Sequence, residues 1–225
     1  MPAPARGQVG ERGTVLLDGE RVPVRWTDGD SFRIEGGRRA GRQARLAGVN
    51  ALETYGPVHR FAGASPERLL AVARGSARIA ASSERRCAAP GSEDGYGRLL
   101  IDCPDAAMEL VRRGHAMVFA VEGSPDPALL AAQHEAQAGG QGMWAWGVPR
   151  VIVTSVHSAG EAGGRGGYDR VVDARTGETE VRRHGRRYQA CDEVCAPEEG
   201  APSCLRHVPF ERRYRDRPGC LLGAP

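Results

Sequence analysis

Between residues 14 and 50, short runs of alternating apolar and polar residues are separated by turns, the period-two pattern of half-buried strands. Val22-Pro23-Val24-Arg25-Trp26 and Phe32-Arg33-Ile34 flank Thr27-Asp28-Gly29-Asp30, and Asp18-Gly19 and Gly36-Gly37 mark neighbouring turns. Asp-Gly between two such runs predicts a two-residue hairpin, because both residues tolerate φ > 0. That turn needs Asp28 and Gly29 but leaves Asp30 unexplained. A third run, Gln43 to Val49, ends at Asn50, with Asn50 to Glu53 just past its end.

The period then changes. Ser65-Pro66-Glu67 has the form of an N-cap followed by proline in the first turn, and Leu69, Leu70 and Ala73 give the helix an apolar face as far as Gly75. Another β stretch is split by the loop 89–95, and its return arm, Arg98 to Asp102, is apolar enough for a buried strand. Pro104-Asp105 opens a second helix closed by Gly114, and Asp126-Pro127 opens a third running to about Ala138. Three strands, a helix, two strands and two helices predict an α+β fold, a five-stranded OB-type β-barrel with three packed helices. Trp144 and Trp146 are expected to close that core.

After Gly147-Val148-Pro149 the composition shifts. Residues 158–167 read as a linker or long loop, 168–181 as a hairpin around Thr176-Gly177, and the remainder is rich in arginine and cysteine. The expected division is a barrel domain over 14–147 and a Cys-rich C-terminal extension over 148–225.

Composition sharpens this picture in several places. No run reaches the ~18 apolar residues of a membrane helix, so no membrane span is expected. The first residues carry no signal-peptide core, which suits either a cytosolic protein or a mature or trimmed form. The basic residues are all arginine, and a net charge of +3 permits an anionic partner without requiring one. Cys87 and Cys103 flank the turn 91–97 and are a disulfide candidate, with buried free thiols as the alternative. Cys191, Cys195, Cys204 and Cys220 lack the Cys-x2-Cys spacing of common zinc modules. A small, apolar-poor tail needs staples, so two disulfides are favoured over zinc, with three pairings open. Disulfides point to a secreted, periplasmic or cell-envelope location. Arg182 to Tyr188 is a basic cluster suited to a nucleic-acid backbone, or to a solvated face balanced by Asp192, Glu193, Glu198 and Glu199. His59, His115 and His134 read as structural or solvated.

The chemistry gathers around Asp30. If the third strand pairs back onto the second, Asp30 and Asn50 meet at one barrel end. Two oxygen side chains and a backbone carbonyl suit a hard cation such as calcium, with Glu53 placed to orient or deprotonate a water.

The strings DGDSF, RLAGVNALE, ETYGP, DGYGR, LVRRGHA and EAQ…MWAW, in this order over residues 14–147, resemble the staphylococcal nuclease (thermonuclease) family. The resemblance implies the OB-type barrel, calcium-dependent hydrolysis of DNA and RNA, and a preference for single strands. It implies Asp30, Asn50 and the Ala51 carbonyl as metal ligands, Glu53 acting through water, Arg45 and Arg98 on the phosphate, and Tyr96 on the nucleotide. Three departures stand out. Asn50 replaces an aspartate, which weakens calcium binding and admits other divalent cations; Leu52 replaces a proline; and Gly95 replaces a lysine. The expected partner is a DNA or RNA substrate met by a monomer, with a further partner of the extension left open. The alternatives are a catalytically weak nuclease-like module that binds nucleic acid or protein, and an extension that itself anchors or recruits.

Overall fold

The computed structural model describes residues 10–161, 166–197, 202–214 and 217–221. Strands β1 (Glu11–Leu17), β2 (Glu20–Trp26), β3 (Ser31–Ile34) and β4 (Gln43–Leu46) pair consecutively and antiparallel. The hairpin turn with φ > 0 lies between β1 and β2, where Asp18 and Gly19 have φ of 49° and 82°. Between β2 and β3 the loop is longer than the two-residue turn expected there. Trp26 pairs with Phe32, Thr27 N–H donates to Ser31 O at 2.9 Å, and Gly29 does not take positive φ. Glycine is needed at 29 for space: a Cβ would lie 2.6 Å from Ser76 Cβ.

The third run breaks at Ala47-Gly48, where Gly48 has φ of 76°. Asn50 therefore lies within a strand, β5 (Val49–Ala51), rather than past one. After β6 (His59–Arg60) comes helix α1 (Pro66–Ala81), capped by Ser65 Oγ, which accepts from Arg68 N–H. It continues through Gly75 instead of stopping there. Gly75 serves close packing, since a Cβ would meet His115 Cε1 at 2.6 Å. Then follow β7 (Arg85–Cys87), β8 (Leu99–Ile101), α2 (Pro104–Arg112), β9 (Ala116–Val118) and α3 (Pro127–Ala138). Strands β5 and β9 form a separate antiparallel pair.

The main sheet has the order β7-β1-β2-β3-β4-β8, with parallel pairings at β7·β1 and β4·β8. It curls until its two ends meet. Ala88 and Asp102 exchange hydrogen bonds of 2.8 Å, and the Cys87–Cys103 disulfide spans the same seam. Six short strands thus make the curled mixed sheet, where five were expected. Val24, Trp26, Phe32, Ile34, Leu46 and Ile101 fill its interior, joined by Leu110 and Val111 of α2. Trp144 is buried in the short turn Gly142–Trp146, whereas Trp146 is half-buried with Arg68 over its ring.

Past the helices lie β10 (Val151–His157), β11 (Gly167–Asp173) and β12 (Thr179–His184), an antiparallel sheet whose last hairpin turns at Thr176-Gly177 as expected. Strand β10 has no counterpart among the expectations, although Val151 to His157 carries the right alternation. This sheet is tied to the helical side. Gly177 O accepts from Ala120 N–H at 2.9 Å, and Ala174 O accepts from Gln133 Nε2 and Gln137 Nε2 at 2.7 and 2.8 Å. Strands β13 (Glu193–Cys195) and β14 (Cys204–Arg206) complete the chain, and β14 pairs with β6. The pairings Cys191–Cys220 and Cys195–Cys204 resolve the tail's three options. Residues 162–165 of the linker tract, and Glu198 and Glu199 of the acidic set, lie outside the described residues. Among the described residues no helix is long and apolar enough to cross a membrane.

Candidate active site

The β2–β3 loop, the end of β4 and strand β5 bring Asp30, Arg45 and Asn50 to one end of the curled sheet. Asp30 is 2 % exposed and its carboxylate is fully engaged. Oδ1 accepts from Ser31 Oγ at 2.8 Å, and Oδ2 accepts from Ala51 N–H at 2.8 Å and pairs with Arg45 Nη1 at 3.0 Å. Against the cost of burial, the Arg45 guanidinium and a hydrogen bond from Asp28 hold the Asp30 carboxyl below its usual value.

Asp28, assigned by the sequence only to a turn, also points inward. Its Oδ1 is buried without a hydrogen-bond partner. Burial, then the charges of Asp30 and Glu53, push its carboxyl well above its usual value.

Asn50 is buried and both ends of its amide are occupied. Oδ1 accepts from Arg45 Nη2 at 2.8 Å, and Nδ2 donates to Ala51 O at 2.9 Å. The predicted carbonyl ligand, Ala51 O, is therefore already an acceptor. The position lacking an anionic oxygen serves as a brace for Arg45, while Asp28 supplies a carboxylate nearby.

Glu53 follows β5 on a loop fixed from several sides. Its N–H donates to His59 Nε2 at 3.1 Å, and Thr54 Oγ1 donates to Thr27 O at 2.9 Å. His59 lies on β6, which is held by β14 of the extension, and Arg60 grips Glu193 through Nε at 2.9 Å and Nη2 at 2.7 Å. Glu193 is thus spent on Arg60 rather than balancing the basic cluster. In that cluster Arg182 pairs with Glu180 at 2.8 Å, and Tyr188 turns its hydroxyl to Asp169 at 2.9 Å. Burial lifts the Glu53 carboxyl above its ordinary value, opposed chiefly by Arg213 of the extension.

Arg98 reaches the site from the start of β8. Asp94 clamps it, accepting from Nε at 2.7 Å and from its backbone N–H at 3.0 Å. Beyond Asp94, its guanidinium feels Asp30 and Asp28. Tyr96 is half exposed with Arg98 over its ring at 5.6 Å. Its hydroxyl bonds Tyr168 Oη and, at 3.2 Å, His157 Nε2, both from the extension. Asp94, His157, Tyr168 and Arg213 were not legible as site residues, the last three because they lie more than fifty positions from Asp30, Arg45, Glu53 and Arg98.

The donor set has the chemistry for a hard cation: three carboxylates, one with an unpartnered buried oxygen. Asp28, Asp30 and Glu53 do not all lie within 4.8 Å of one another; among the described residues the group that does is Glu193 with Cys195 and Cys204, whose sulfurs form a disulfide.

Residues 43–146 match the family model described as staphylococcal nuclease homologue. The match bears out the resemblance carried by the motifs, and it covers Arg45, Asn50, Glu53, Tyr96 and Arg98. It begins at β4, so Asp28 and Asp30 precede it and owe their place at the site to strand pairing. No curated protein matches the sequence.

Proposed function

With a staphylococcal nuclease homologue domain carrying this site, we propose that the protein is a calcium-dependent nuclease that hydrolyses phosphodiester bonds of DNA and RNA, single strands preferred. The observation that carries this reading is the convergence of Asp28, Asp30 and Glu53 with the guanidinium groups of Arg45 and Arg98 at one end of the sheet. Asp30 and Asp28 would hold the cation, with Asn50 Oδ1 beside them. When bound, it supplies positive charge to the phosphoryl oxygens and acidifies water.

The chain's own groups do the rest. Arg45, braced by Asn50, and Arg98, braced by Asp94, present donors to the non-bridging oxygens, whose negative charge grows in the transition state. Glu53, with a raised affinity for protons, accepts one from the attacking water as its oxygen bonds to phosphorus and the bond to the leaving ester oxygen breaks. The backbone bond from Glu53 to His59 fixes the loop that carries this base. Three disulfides support an oxidising compartment.

The test is release of acid-soluble nucleotides from heat-denatured DNA in calcium, in magnesium and in chelator. Calcium-dependent release that falls by about 10²–10⁴ in Glu53→Gln, and falls strongly in Arg98→Ala, is the expected result. No release in any metal, with DNA still bound, would favour the second reading, a phosphate-gripping module without chemistry. The one observation on that side is Asn50, whose amide is already spent on Arg45 and Ala51.

A further inference from the structure

The large apolar side chains that the described residues leave exposed include three aromatic rings, Tyr96 at 50 %, Phe210 at 64 % and Tyr214 at 47 %. All three stand at the rim of the candidate site. Tyr96 belongs to the nuclease-like domain; the other two come from the extension. The Tyr96 and Phe210 rings are parallel within 4°, with centroids 6.5 Å apart. Tyr214 meets Tyr55 edge-on at 5.9 Å, two residues beyond Glu53. Between them sits Arg213, its guanidinium 4.9 Å from the Phe210 ring centre and 5.1 Å from that of Tyr55.

This rim combines features that single-stranded nucleic acid requires. Exposed flat faces stack on bases, and every base has such a face. Guanidinium groups follow the phosphates: Arg98 lies over Tyr96, and Arg213 is the opposing charge that acts most strongly on Glu53. The segment is built in rather than draped. Val208 and Leu221 are buried on either side of it, β14 is hydrogen-bonded to β6, and the Cys191–Cys220 disulfide closes over it. A cover that must swing away would not be tied at both ends.

We propose that the extension completes the substrate cleft. Phe210 and Tyr214 join Tyr96 as base-stacking faces for single-stranded DNA or RNA, and Arg213 contacts a backbone phosphate beside Glu53. The proposal rests on the nuclease reading for what is cleaved, but the binding it predicts does not require cleavage.

The experiment uses the full chain and a fluorescent twelve-nucleotide single strand, with binding measured across a salt series and cleavage measured in parallel. Phe210→Ala should weaken binding about 5- to 100-fold with an unchanged salt slope, and Phe210→Trp should restore it. Arg213→Gln should weaken binding and flatten the salt slope by about 0.7, the loss of one phosphate contact. Three results overturn the proposal. Binding unmoved in both variants, while Glu53→Gln abolishes cleavage, leaves the nuclease reading standing and the cleft without this wall. Tighter binding or faster cleavage in Phe210→Ala makes the segment an inhibitory cover. A wild-type chain that neither binds nor cleaves removes both readings. A chain that binds through Phe210 and Arg213 without cleaving keeps the wall and removes the nuclease.

Discussion

Arg45 Nη1 stands 3.0 Å from Asp30 Oδ2, and the pair is shielded from solvent, with side chains 16 % and 3 % exposed. The arginine proposed to grip phosphate is thus also the counter-ion of the aspartate proposed to grip the cation. Removing one member of a buried pair leaves a charge in a low-dielectric site, at a cost of about 3–5 kcal/mol. Arg45→Leu should therefore lower the melting temperature strongly in chelator. A divalent cation should recover part of the loss, because it binds the folded state and replaces the missing charge. Melting curves in chelator and in calcium check this; equal calcium shifts in variant and wild type would refute it.

Asn50 braces Arg45 with a neutral oxygen. Asn50→Asp adds an anionic oxygen next to Asp30 and removes the donor to Ala51 O. The expected outcome is half-maximal activity at a lower calcium concentration than the wild type needs. Calcium titration of nucleotide release measures it.

His59 is 2 % exposed; its Nε2 accepts from Glu53 N–H and its Nδ1 has no partner. Burial lowers its pKa to about 3. The folded state holds the proton less well than the unfolded chain, whose histidine titrates near 6.5. This group's contribution to stability is therefore complete above about pH 6.5 and is lost as pH falls toward 3, with about 2 kcal/mol gone at pH 5. His59→Gln keeps an acceptor and cannot titrate. It should flatten the loss of melting temperature between pH 7.5 and 5.

Gly75 lies in mid-helix, where alanine ordinarily gains about 1 kcal/mol. Here a Cβ would meet the His115 ring at 2.6 Å, and that ring is fixed by Nδ1 contacts with Ser76 Oγ at 3.2 Å and Val72 O at 3.0 Å. Gly75→Ala should cost about 1–3 kcal/mol. In the background of His115→Ala the same change should stabilise. Denaturant midpoints of the four proteins decide the sign.

The Cys87–Cys103 bridge, with a sequence separation of 16, lies on the seam where the curled sheet meets itself. A loop of about this length stabilises by about 3 kcal/mol through the unfolded chain. Cys87→Ser with Cys103→Ser should lose about that amount. Reductant should mimic it in the wild type, together with the effect of opening the two tail bridges.

What could be read along the chain is local. The helix starts at Ser65-Pro66 and Asp126-Pro127, the β pattern of the first fifty residues, the turn at Thr176-Gly177 and the motif residues Asp30, Arg45, Glu53 and Arg98 follow from neighbouring side chains and short-range backbone preferences. The tertiary structure decided whatever depends on residues far apart in the chain. Gly29 and Gly75 look like a turn and a stop, yet each is set by a side chain packed against it from elsewhere. Asp28 becomes a buried carboxyl raised above its usual value only because β2, β3 and β4 bring Asp30 and the Glu53 loop against it. Cysteine spacing allowed three tail pairings, and the β13–β14 register, which sets Cys195 opposite Cys204, selected one. The extension's place beside Glu53 carries no local signal, because Phe210 and Arg213 reach the site through a strand pairing that spans some 145 residues.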